Sequence, residues 1–351
     1  MNKILARIKA NRRQWITYAV VVAAFIVLQI LSGQKVLSST ARGMLVPICA
    51  YVVMAISLNL TVGVMGELSL GHAGFMSVGA FMGTTAAVSL QGVIASTPLR
   101  LAIAMAVGAL FAAVIGFLIG IPVMRLKGDY LAIVTLAFGE IIKSIFTNLY
   151  IGLDSAGFHI RFLQAPENME EGAKLIIGGP MGISGIQRIA TFTGGFVLVM
   201  VCLIVIFHLV NSRTGRAILA IRDNRIAAES VGIPVMRYKM TAFVLSAAMA
   251  GAAGALFALN FSTIAANKFD FNTSILVLVF VVFGGLGNML GSVIAAALLT
   301  ALPEALRSFA DYRMLVYAIV LILVMLATNN SDFKALLRRL IPGRKEDRED
   351  V

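Results

Sequence analysis

The chain has 351 residues, of which 59% are hydrophobic and only 13% charged, and its mean hydropathy is +0.92. That is about half the charged fraction of a soluble globular protein, which leaves too little polar surface to cover a water-soluble body. The net charge of +12 does not imply a nucleic-acid partner, because the basic residues cluster at the ends of apolar segments, as membrane topology requires. Cys49 and Cys202 lie inside apolar segments and read as small packing residues rather than a disulfide framework.

An apolar run of roughly 20 residues crosses the hydrocarbon core as a helix, since only a helix satisfies its own backbone there. In chain order the runs are Trp15–Leu31, Met44–Val64, Leu68–Leu90, Leu101–Met124, Tyr130–Ile151, Thr191–Val210, Met240–Ile264, Ile275–Pro303 and Met314–Thr328. The expected fold is an all-α polytopic membrane helical bundle, with about eight spanning helices plus a broken or re-entrant segment, forming one transmembrane domain over the whole chain. The first run is long for a signal peptide and lacks a persuasive cleavage site, so it reads as a retained helix. Among these runs, His72, the pair Glu140 and Lys143, and His208 are the residues able to carry charge.

Orientation follows from lysine and arginine. Lys3, Arg7, Lys9, Arg12 and Arg13 precede the first run without an acid, which puts the N-terminus on the cytoplasmic side. Counting crossings then puts Gly152–Ala190 outside. Asn211–Lys239 falls inside, with Arg213, Arg216, Arg222, Arg225, Arg237 and Lys239 against Asp223 and Glu229. The tail over 332–351, with Lys334, Arg338, Arg339, Arg344, Lys345 and Arg348, should also be cytoplasmic. That requires Ile275–Pro303 to enter and leave on one side. Gly284-Gly285-Leu286-Gly287-Asn288 in its middle predicts the break, as a re-entrant hairpin or two short helices, and such a break is tolerated only against protein or a water-filled path.

Small residues recur four apart at Gly79 and Gly83, Gly116 and Gly120, Ala247 and Gly251, and Gly287 and Gly291, which lets helices approach closely. The phosphate-cradling pattern G-x-x-x-x-G-K-[ST] is absent, as are C-x-x-C, H-E-x-x-H and G-x-S-x-G. His72, His159 and His208 are scattered. No catalytic residue, metal site or cofactor is implied, and this chain is not expected to hydrolyse ATP through such a loop.

Between two spans, Ala217–Val231 has helical composition and is stopped by Gly232 and Pro234. Ile218, Leu219, Ile221, Ile226 and Ala227 interleave with Arg222, Asp223, Arg225 and Glu229. A short amphipathic helix there rests either on lipid headgroups or in the groove of a cytoplasmic partner.

Several stretches carry a family resemblance. Gly66-Glu67-Leu68-Ser69-Leu70-Gly71-His72-Ala73-Gly74-Phe75 resembles the "G-x-L-S-L-G-H-A-x-F" segment of the branched-chain amino-acid permease family of ABC importers. Leu126–Ile141 resembles a second stretch of that family. Arg216–Gly232 is similar to its "G-R-x-x-x-A-I-R-D-x-x-x-A-A-x-x-x-G" loop, with a loose EAA-Gly match at Ala227–Gly232, and Val282–Gly287 resembles its "G-G-x-G". The four stand in order over roughly residues 45 to 300, and the S-L-G-H-A form points to the M-type subunit. The resemblance implies an inner-membrane permease subunit with several partners. These are an H-type permease, two cytoplasmic ATPase subunits and an extracytoplasmic solute-binding protein. It implies an ATPase-coupling role for Arg216, Arg222, Asp223, Ala227, Ala228, Glu229 and Gly232. The solute would be a branched-chain or similar small amino acid, with urea or a short-chain amide as the alternative.

Candidate path residues are Ser69, Gly71, His72, Gly74, Glu140, Gly284, Gly285 and Gly287. His72 reads either as a histidine bonded between helices or as part of the path, with Gly71 and Gly74 leaving room for a helix or a solute. Glu140 and Lys143 lie three apart on one helix face and can pair, structurally or along the path. Lys127 and Asp129 read as interface residues. A second class, an ion-coupled secondary transporter, would use Glu140 and the glycine break instead.

Overall fold

The computed structural model describes residues 12–34, 38–126, 128–154, 157–163 and 174–306, with Ile319 and Ile322 singly. The chain divides into two compact units, Met1–Thr300 and Ala301–Val351, and the described bundle lies essentially in the first. The expected run Met314–Thr328 and the basic tail fall outside the described residues.

Among the described residues, seven helices are long and apolar enough to span a bilayer. They are α1 (Arg12–Gly33), α2 (Ser39–Asn59), α3 (His72–Ser89), α4 (Thr97–Val123), α5 (Asp129–Asn148), α6 (Phe192–Asn211) and, after two short helices, α9 (Val235–Ala258). The short pair are α7 (Arg213–Asp223) and α8 (Arg225–Ser230). The broken segment resolves into two shorter apolar helices, α10 (Phe271–Gly284) and α11 (Met289–Ala305). Gly285 and Gly287 take φ of 88° and 79°, where a side chain is strained, so the turn between them is glycine-dependent.

Four expected boundaries shift. The run beginning at Leu68 is helical only from His72, because Gly66 takes φ of 80° and the chain through Gly71 lies backbone to backbone on Thr135 of α5. The run Tyr130–Ile151 leaves helix at Asn148 and Met240–Ile264 leaves it at Ala258. Their ends join a small sheet. The fourth is Ala217–Val231, which is two helices rather than one. Asn224 is extended (φ −154°, ψ 102°) and its side chain caps α8 by accepting from Ala227 N at 3.0 Å.

The sheet was not legible as such in the polar stretch after α5. Strands β1 (Leu149–Asp154), β2 (Gly157–Phe162), β3 (Lys174–Gly178), β4 (Ile183–Ser184) and β5 (Thr263–Ile264) form one antiparallel sheet in the order β2-β1-β3-β4-β5. Within it Ile176, Ile177, Ile183 and Ile264 are buried. An open sheet edge has no partner in hydrocarbon, so this end of the bundle lies beyond the lipid core.

The core centres on α9, which packs against α4, α3 and α2. The recurring small residues explain why these helices meet. Gly79 of α3 lies directly on Gly251 of α9, Gly83 on Ala255, and Gly116 of α4 on Ala247. Lipid tails are as apolar as leucine, so close van der Waals contact of this kind is what holds helices together in a membrane. Larger side chains fill the flanks: Phe75 meets Phe243 edge-on at 5.5 Å and Phe81 stacks on Phe146 at 4.5 Å. Cys49 and Cys202 are unpaired and buried, as their apolar settings suggested. By contrast α1 contacts the bundle chiefly through α6, with Phe25 stacked on Phe196 at 3.9 Å and Tyr18 edge-on to Phe207 at 5.4 Å.

The α3–α9 seam yields a direct test. A Cβ at Gly79 would collide with the Gly251 backbone, which cannot rotate away, whereas one at Gly43 meets nothing within 4 Å. Gly79→Val should cost about 1–3 kcal/mol or more and lower the recovery of folded protein from mild detergent. Gly43→Val should leave recovery and melting temperature unchanged. Equal melting temperatures for the two variants would contradict the seam.

Candidate functional site

Three features converge at the end of the bundle opposite the sheet. The first is where α2 ends. Leu60–Val64 continues α2 as a π-helical turn, closed by Met65 N donating to Leu60 O at 3.0 Å. Widened turns of this kind recur at functional sites. Its Gly63 packs on Gly287, so the α10–α11 turn rests on it without an intervening side chain. Asn59, fully buried one residue earlier, fixes the contact: its Oδ1 accepts from Gly287 N at 2.8 Å and its Nδ2 donates to Ser292 Oγ at 2.8 Å.

The second feature is the α7–α8 loop. Ser212 caps α7 through Gly215 N at 3.1 Å. Arg222 reaches out of α7 and donates from Nη1 to Gly63 O at 3.1 Å, its stem lying against Gly66 and its other nitrogens bonded to Asp223 at 2.9 and 3.1 Å. The loop therefore touches the π-helical turn that supports the α10–α11 turn. Arg216 donates to Asn211 O at 3.1 Å, and Arg225 pairs with Glu229 at 2.9 Å. Gly232 takes φ of 82° with open space around it, which turns the chain back toward α9. Ala228 is only 4% exposed and packs with Ile221 and Val235 inside this chain, so it does not face outward. The apolar side chains that do face outward are Ile226, 79% exposed, and Val231, 75% exposed. Ala227 is also exposed beside them.

The third feature is the non-helical stretch from Gly66 to Gly71 and the start of α3. Glu67 forms a buried ion pair with Lys239 at the base of α9. His72 is buried, and its Nε2 lies 2.8 Å from Ser57 Oγ of α2. The network runs on through Ser246 Oγ, which donates to Ser57 O at 2.6 Å and accepts from Thr61 Oγ1 at 2.8 Å. Ser69 Oγ, His72 Nδ1 and Ser77 Oγ are buried without a hydrogen-bond partner. The room left by Gly71 and Gly74 is occupied by α5, since these residues lie against Thr135 and Gly139. His72 thus fits the inter-helix bonding alternative in this conformation, with one ring nitrogen uncommitted.

Glu140 and Lys143 are ion-paired on α5. Glu140 lines a narrow crevice with Leu70, Gly74, Gly139, Asp270 and Ser274. Ser274 Oγ closes its floor by accepting from Ala73 N at 3.1 Å. Asp270 caps α10, accepting from Thr273 N at 3.0 Å and Asn272 Nδ2 at 2.8 Å. Burial pushes the Asp270 carboxyl up, but these hydrogen bonds and the Lys143 charge outweigh it and hold it below the usual carboxylate range.

The structure therefore splits the expected path residues between two places. Gly287 meets Gly63 near the loop, with Gly284 packed on Gly291 and Gly285 in the same turn, while Gly71, Gly74 and Glu140 meet at the α3–α5–α10 junction. Sequence reasoning took its path candidates from the family-like motifs and from the histidines and charged residues within spans, and so passed over Asn59, Ser57 and Ser246. Asn59 was visible as a lone amide deep in an apolar run. The Glu67–Lys239 pair is separated by 172 positions and left no local signal.

Comparison with known proteins follows the same lines. The chain is 35% identical over 311 residues to the high-affinity branched-chain amino acid transport system permease protein LivM of Escherichia coli, covering 79% of this chain and 66% of that protein. It is 27% identical over 279 residues to the probable LivM of Methanocaldococcus jannaschii, covering 69% and 74%. It is also 27% identical over 326 residues to the fructose import permease protein FruG of Bifidobacterium longum, covering 88% of each. The chain thus spans just under two thirds of the length of the Escherichia coli relative. No solved structure matches. Residues 40–325 match the family described as the branched-chain amino acid transport system permease component, and with seven apolar helices in place the chain belongs to that family of multi-pass inner-membrane permeases.

Proposed function

We propose that this chain is the M-type transmembrane subunit of an ABC importer and forms part of the path for a branched-chain or similar small amino acid. The observation that carries the reading is the extent of identity to LivM. In this reading an H-type permease completes the path, an extracytoplasmic binding protein delivers the solute, and two cytoplasmic ATPase subunits supply the energy. The FruG likeness concerns a sugar importer, which makes the importer architecture broader than one solute. Uptake of labelled leucine by vesicles holding all components tests the reading. It should need ATP and survive collapse of proton and sodium gradients. Accumulation by this polypeptide alone on an ion gradient would replace it with a secondary transporter.

The α7–α8 loop is the proposed contact with the ATPase, and both it and the chain termini are cytoplasmic while the sheet is outside. Support comes from the basic surplus of the loop and from Ile226 and Val231, which are too exposed to be explained by packing within the chain. An apolar pair ringed by Arg225, Glu229 and Asp223 suits a groove with a polar rim. Ile226→Asp should leave the permease inserted but reduce ATPase co-purification and leucine uptake together, each by about tenfold or more. Unchanged recovery of the ATPase would remove the loop from that role.

Arg222 has a different place. Its bond to Gly63 O joins the loop to the π-helical turn and, through it, to the α10–α11 turn. Arg222→Ala should therefore retain ATPase binding and hydrolysis while uptake per ATP falls several-fold. A parallel loss of binding and uptake would make Arg222 a docking residue instead.

A further inference from the structure

Glu140 and Lys143 are the twelfth and fifteenth of the 20 residues of α5, which places them about 16 and 21 Å along the helix. Both are therefore well within a hydrocarbon core of about 30 Å. Their ion pair is not sealed by this chain: the Glu140 side chain is 41% exposed and that of Lys143 24% exposed. The same side of α5 also exposes Ile133, Ala137, Ile141, Ser144 and Ile145. Across the cleft stands Asp270, within reach of the Lys143 charge.

Lipid cannot cover such a face cheaply. Ionised groups at this depth are stable where they meet protein or water, and snorkelling is blocked here by the short Glu140 side chain and its mid-span position. The apolar side of α4 makes the contrast, since it exposes Leu110, Phe111, Val114 and Leu118 with no charge among them. One side of the bundle is fit for lipid and the other is not.

We infer that the α5–α10 face lies along a hydrated seam with a second permease chain, and that Glu140, Lys143 and Asp270 line this seam where a zwitterionic solute passes. This rests on the two-permease importer reading above. Ile133, Ile141 and Ile145 supply the apolar contact on which a helical partner packs. The charged residues stay in water between the two chains. Two carboxylates flanking one ammonium offer sites for both ends of an amino acid: the solute's ammonium to Glu140 and Asp270, its carboxylate to Lys143. The ion pair keeps these groups matched when no solute is present.

Thiol reactivity in membranes tests the seam. With Cys49 and Cys202 replaced by Ala, single variants Ala137→Cys, Ser144→Cys and Val114→Cys are assembled with all partner subunits and treated with a hydrophilic thiol reagent. Reaction needs thiolate, which forms only in contact with water. Ala137→Cys and Ser144→Cys should react on the order of tenfold or more faster than Val114→Cys, and excess leucine should slow them. Rates equal to that of Val114→Cys would overturn the seam. Recovery of the ATPase with each variant reads the importer assignment separately: subunits present with slow thiols sink only the seam, while subunits absent throughout sink the importer reading itself. For the solute, Glu140→Gln combined with Lys143→Gln should preserve assembly and thiol rates while leucine uptake falls by about tenfold or more. Full uptake by that double variant would remove the charges from the solute's route.

Discussion

A backbone that leaves helix inside a membrane bundle must hand its amides and carbonyls to other partners, since lipid offers none. Among the described residues this chain breaks helix between packed helices at Gly66–Gly71 and at Gly285–Asn288, and side chains from neighbouring helices staple both breaks. Thr135 of α5 accepts from Leu70 N at 3.1 Å and Ser274 of α10 accepts from Ala73 N at 3.1 Å. Asn59 of α2 accepts from Gly287 N, and Arg222 of α7 donates to Gly63 O. The glycines and short polar residues of the characteristic motifs are explained by this requirement: the glycines let backbones touch, and the hydroxyls and amides satisfy what the touching strands leave open.

That arrangement also gives the two breaks a common neighbour in α2. Its residues Ser57, Asn59, Thr61 and Gly63 lie within two turns, and they bond or pack in that order against His72, Ser292, Ser246 and Gly287. Arg222 ties the α7–α8 loop to the end of this run. Packed interfaces of small residues do not stretch gradually; they hold one arrangement or move to another. The end of α2 is thus where the loop, through Arg222, and both breaks meet, and its π-helical turn lies at that junction.

Most of the bundle was legible because membrane helices announce themselves by length and hydropathy. The glycine break at Gly284–Gly287 was legible too, since two positive-φ glycines leave helix no alternative. What sequence could not supply was pairing at a distance. Strand β5 is two residues long and joins the sheet only because Ile183 and Ile264 meet across 81 positions (264 − 183). Asn224 looked like one more polar residue in a helical run, yet its short amide competes with the helix for its own backbone and splits the segment in two. The likeness of Ala228 to a docking residue was similarly deceptive: small size suits a close contact, but whether that contact lies within the chain or beyond it depends on Ile221 and Val235, which only the fold brings together.

Two ion pairs in this bundle separate structure from passage. Lys239 and Glu67 have side chains only 7% and 13% exposed and belong to elements that must stay together, the base of α9 and the stretch leading into α3. Two charges so enclosed are costly to desolvate, and removing one partner costs more than the pair contributes, so their value lies in fixing one arrangement of the two elements. Glu140 and Lys143 sit on a single helix, three residues apart, so their ion pair itself ties no two elements together. A pair that fixes no tertiary contact, remains partly open and lies at mid-depth brings the cost of membrane charge without the constraint that justifies it in the first case. Its place is understandable only if the opening faces something polar.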